Sequence, residues 1–218
     1  MTITAIVPIV VNIFSIGLGA AVFYLVSDLG KGRKKKQAEE ALSQIVNFVL
    51  FIWLSKILLN LPLLFSDPLA VLAYPSDSSA FYLAIFFSAA FLMYGMKSKG
   101  IQGWLLMQTL LYLLLPAAFF YEFAQLAWFD DAYAFGNLIL YAILLAVFLG
   151  LNDRLSPSAA GHVLLSVWAG GMFLISTIQP YSSTFGYVME PWFILILFTT
   201  GHFLILFSNR RRVTNECD

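Results

Sequence analysis

FVLFIWLSKILLNLPLLF, residues 48–65, is apolar apart from Ser55, Lys56 and Asn60. A run of this length with a single charge reads as a membrane-spanning helix, and its texture recurs along the chain. Of the 218 residues, 61% are hydrophobic and 11% charged, against about 45–50% and 25% in a soluble domain. The expected class is therefore an integral membrane protein.

Working outward from this stretch, apolar runs fall at about 3–27, 43–65, 80–96, 102–126, 137–151, 161–178 and 190–207. Rich in Leu, Phe, Ile and Ala, and without an alternating polar face, they favour helices over barrel strands. The expectation is an all-α, polytopic bundle of seven transmembrane helices forming a single domain over residues 1–218. The runs at 80–96 and 137–151 are short for a bilayer and are expected to borrow residues from their flanks.

Orientation follows from the basic residues. Placing Lys31, Arg33, Lys34, Lys35 and Lys36 on the cytoplasmic side also puts Lys97, Lys99, Arg154, Arg210, Arg211 and Arg212 there, if the spans alternate. Eleven of the twelve basic residues then lie inside, which is the positive-inside pattern. The N-terminus is expected outside and the C-terminus in the cytoplasm. The first span lacks the basic leader of a secretory signal, and its basic cluster follows the apolar run. A bacterial cytoplasmic membrane is the expected location.

Lys56, the twelfth basic residue, is expected near mid-bilayer, where an unpaired charge is costly and normally faces the bundle interior. The clear intramembrane carboxyl is Glu122, in YLLLPAAFFYEFAQL, and the spacing predicts a Lys56–Glu122 pair joined by Asn60, one turn from Lys56. Gln108 stands fourteen residues before Glu122 and faces nearly the same way on a helix. Pro62 and Pro116 each free a backbone carbonyl one turn earlier, at Leu58 and Tyr112.

His162 and His202, near the cytoplasmic ends of the last two spans, are expected to be packing residues or a proton-responsive switch. His162 shares a helical face with Ser166 and Gly170, a stripe of small residues that would admit a neighbouring helix. Two histidines alone do not complete a zinc site, and no metal or cofactor is expected. The cluster Lys31, Arg33, Lys34, Lys35 and Lys36 anchors topology and is suited to anionic lipid headgroups. It is too short, and too poor in interleaved aromatics, for nucleic acid.

Catalytic signatures are missing from the sequence. HExxH, GxSxG and P-loop motifs do not occur, and the lone cysteine, Cys217, excludes an internal disulfide. A retinal Schiff base would need a lysine in the seventh span, which has none. Two functional readings follow. The first is a non-enzymatic accessory, regulatory or assembly subunit, acting through contacts with a membrane-protein partner within the lipid bilayer. The second is a small permease or channel with a polar path lined by Lys56, Asn60, Gln108 and Glu122. The low density of polar residues in the spans favours the first.

Overall fold

The structure, a computed structural model, describes residues 3–27, 29–67, 71, 77–98, 103–151 and 154–215. Lys99 and Cys217, singled out above, lie outside the described residues. The chain is nearly all helical. Its helices are α1 (Ile3–Val26), α2 (Lys31–Leu59), α3 (Leu61–Ser66), α4 (Ser78–Ser98), α5 (Gly103–Phe129), α6 (Ala134–Leu151), α7 (Pro157–Ile178) and α8 (Pro191–Asn215). Between α7 and α8 stands a small antiparallel hairpin of β1 (Ser183–Thr184) and β2 (Tyr187–Val188).

Among the described residues, five helical stretches are long and apolar enough to cross a membrane: Lys31–Leu59, Ser78–Gly95, Leu105–Phe129, Ala134–Leu151 and Ser158–Ile178. Two further apolar stretches, Val10–Val26 and Pro191–Leu206, are shorter. Large apolar side chains such as Leu25, Phe65, Phe86 and Ile178 stand exposed, as lipid-facing residues do.

The run at 43–65 is not one helix. α2 stops at Leu59, Asn60 leaves helical geometry with φ −119° and ψ 33°, and α3 begins at Leu61. Pro62 explains the break, because its ring removes the donor that would have bonded Leu58 and clashes with the preceding turn. Asn60 closes α2 twice: its backbone N–H reaches the carbonyls of Lys56 and Ile57, and its side-chain amide donates to the Lys56 carbonyl at 2.9 Å. Pro116, by contrast, sits inside α5 without ending it.

The chain divides into two compact units, residues 20–113 and residues 1–19 with 114–218. In the first, α2 packs along α4 through aromatic contacts, Phe48 on Phe81 and Phe51 on Phe87 and Phe91, at ring separations of 5.5, 6.1 and 5.7 Å. Asp77 caps α4 by accepting the Ala80 N–H at 2.9 Å.

In the second unit α6, α7 and α8 pack in series. Two glycines permit the close approach. A β-carbon on Gly171 would stand 2.2 Å from a Leu140 methyl carbon, and one on Gly201 would stand 2.6 Å from Leu165. In the stripe His162, Ser166 and Gly170 the first two residues meet α8 at His202, whereas nothing lies within 4 Å of a β-carbon built on Gly170. The contact falls one residue later because that position turns toward α6.

Candidate functional site

The second unit concentrates buried polar groups where α5, α6 and the hairpin meet. α5 ends at Phe129 with Asp130 in the left-handed region, φ 53°, a conformation that a short polar side chain tolerates. Asp131 then starts α6 by accepting the Tyr133 N–H at 3.0 Å. This short turn brings Glu122 of α5 and Asn137 of α6 together.

Both side chains are 2% exposed. The Asn137 amide donates to the Glu122 carboxyl and, at 3.3 Å, to the Ser183 hydroxyl of β1. One turn along α6, Tyr141 shares a hydrogen bond with Thr184 at 3.1 Å and accepts one from the Trp168 indole. Glu122 Oε1 and Asn137 Oδ1 are buried with no hydrogen-bond donor among the described residues. Such acceptors cost about 1–3 kcal/mol each when left unsatisfied, so the arrangement is poor as pure packing.

The hairpin closes this cluster. Its two-residue turn has Phe185 at φ 52° and Gly186 at φ 82°, the pair of positive values that a type I′ turn requires. Gly186 is fixed for a second reason, because a β-carbon there would lie 2.7 Å from the Tyr121 hydroxyl. The Phe185 ring packs on Tyr121 at 5.6 Å and holds its own residue in a backbone region that suits glycine better. At the base, Ser182 and Met189 exchange hydrogen bonds, N–H to carbonyl at 2.8 Å and hydroxyl to carbonyl at 3.3 Å. Beside the hairpin, Tyr181 stacks obliquely on Tyr133, and burial, with the nearby Asp131 carboxylate, pushes its phenol above the usual tyrosine value.

Lys56, Asn60 and Gln108 belong to the other unit. Lys56 is 8% exposed and occupies the last turn of α2, where the negative end of the helix dipole suits a cation. Asn60 turns its amide to the Lys56 backbone, and Gln108 is half-buried on α5. Lys34 has a structural role, its ammonium donating at 2.9 Å to the Tyr24 carbonyl in the last turn of α1. Lys35 lies 3.9 Å from Glu39, exposed, while Lys31, Arg33 and Lys36 extend the basic first turns of α2.

His162 and His202 meet directly, with rings nearly parallel, centroids 4.8 Å apart and an Nδ1–Nδ1 contact. Ser166 donates to the His162 carbonyl at 2.8 Å, so its oxygen is left to accept from His202 Nε2 at 3.3 Å. No group of three or more His, Cys, Asp or Glu side chains among the described residues could hold a metal ion.

No family model, curated protein or solved structure matches this chain. Its own geometry is thus the basis for a functional reading. Asn137 and the hairpin were not anticipated from sequence, although a lone Asn in AFGNLILYAILL, four residues before Tyr141, is a polar signal in an apolar helix.

Proposed function

We propose that the chain is a multi-pass protein of the cytoplasmic membrane with all seven apolar helices spanning, its N-terminus outside and its C-terminus inside, working as a small permease or channel. The observation that carries the reading is the pair of buried acceptor oxygens on Glu122 and Asn137, set inside the membrane-crossing stretch of α5 and at the start of α6. An intramembrane carboxyl with unfilled hydrogen-bonding capacity suits a ligand or ion better than it suits packing. Lys56, Asn60 and Gln108 are the further polar residues that the sequence assigns to such a path. The basic cluster from Lys31 to Lys36 would meet anionic headgroups on the cytoplasmic side.

The test is flux of small ions and solutes into liposomes containing the purified protein, compared with Glu122→Gln and Lys56→Met. Flux that falls in the Glu122 variant supports permeation. Tight proteoliposomes, together with a stoichiometric companion on mild-detergent extraction, would instead support the accessory-subunit reading. Reporter fusions at the two termini check the orientation.

A further inference from the structure

We propose that Glu122 and Asn137 form a binding site for a monovalent cation of the sodium class. This rests on the permease reading and names its ligand. The two unpartnered oxygens are a carboxylate and an amide carbonyl, the hard donors that alkali and alkaline-earth ions take. They belong to side chains that are 98% buried, held together through the second carboxyl oxygen and the amide hydrogens, so the donors are positioned before any ion arrives.

Charge selects the ion. The unit contains no lysine, and the first arginine along the chain after Glu122, Arg154, comes seventeen residues after Asn137, roughly 25 Å along a helix. The charged group that acts on Glu122 from within the unit is Asp131, an acid, which deepens the negative potential. Asp131 is already committed to the N–H of Tyr133 at the start of α6. Glu122 is the one carboxylate that offers an oxygen here, and a single positive charge neutralises it, whereas a divalent ion would leave an excess charge in an apolar setting. The hairpin supplies cover, since Ser183 orients Asn137 and Thr184 pins the adjacent Tyr141.

The experiment is thermal unfolding of the full chain in detergent, titrated with NaCl against choline chloride at constant ionic strength, with intrinsic tryptophan fluorescence as a second readout. Na+ is expected to raise the unfolding temperature saturably, as a ligand that binds only the folded state must. Glu122→Gln should abolish the response, and Ser183→Ala should weaken the affinity by roughly tenfold. Asn137→Asp, which adds a second carboxylate, should transfer the response from Na+ to Ca2+, and it decides the matter if Glu122→Gln fails to fold.

A wild type indifferent to Na+ overturns the site. So does an equal response in Glu122→Gln, or a response to pH with none to Na+, which would put a proton between the two oxygens. Energetic coupling of Lys56→Ala with Glu122→Ala in a Na+-insensitive protein would also overturn it, by giving the place to the ammonium. Radiolabelled Na+ that binds but does not cross proteoliposomes would leave the site standing and remove permeation. Na+ flux that survives in Glu122→Gln would do the reverse.

Discussion

Lys56 and Glu122 are the two buried charged side chains among the described residues, and their surroundings differ. Lys56 stands in the last turn of α2, where the helix end itself is an acceptor-rich setting and Asn60 has closed the terminus. Glu122 is seven residues from the end of α5, with its own helix carbonyls engaged, and depends on side chains from α6 and the hairpin. A cation can be accommodated by local helix geometry. A carboxylate in mid-helix needs tertiary structure, and the tertiary structure here leaves part of that need unmet.

The sharpest way to break this contrast is Asn137→Leu, which removes the amide that serves Glu122. It should cost about 2–3 kcal/mol, as removal of the donor from a buried carboxyl group does. Denaturant unfolding in detergent measures it, and a near-neutral result would mean that the carboxyl does not depend on α6. Gly171→Ala should come next, at about 1–3 kcal/mol, because Leu140 must give way. Gly170→Ala is its control and should be neutral or stabilising by at most about 1 kcal/mol, since the position is open and alanine is the better helix former.

Gly186→Ala should cost about 1–3 kcal/mol through backbone strain alone, with the Tyr121 clash added. Its signature is faster amide exchange in the hairpin. Lys56→Met should lose only about 1 kcal/mol, the value of a cation at a helix C-terminus. A loss matching that of Asn137→Leu would erase the contrast and favour a tight ion pair. Lys35→Ala, at an exposed bridge to Glu39, should change stability by only a few tenths of a kcal/mol.

Helix content and the membrane class were legible because they rest on composition and run length, which no tertiary detail overrides. The break at Asn60 was written in the sequence, since Pro62 forbids a continuous turn, yet apolar content alone runs straight through it. The sequence reading of Lys56 therefore assumed one continuous helix, where the structure ends α2 three residues later. The small-residue stripe receives α8 at His162 and Ser166 but not at Gly170, because helical spacing identifies a face but not how far a neighbour follows it, and Leu140 meets α7 at Gly171 instead.

The hairpin lay below the reach of periodicity, with two-residue strands and a turn that uses Phe185 where Asn or Asp is usual. Without it Asn137 looks like a boundary residue rather than part of a cluster. The two histidines were grouped by depth, and depth does not determine contact; their meeting depends on how closely α7 and α8 approach at Gly201.

Strand β1 carries one more implication. Neighbouring residues on a strand point to opposite faces, yet Ser183 and Thr184 both reach α6, at Asn137 and Tyr141, which are one turn apart on that helix. The strand therefore meets α6 edge-on, with a side chain on either flank. A rotation of α6 about its axis by one residue would break both bonds together, so the two-residue strand fixes the register of the helix as well as its position.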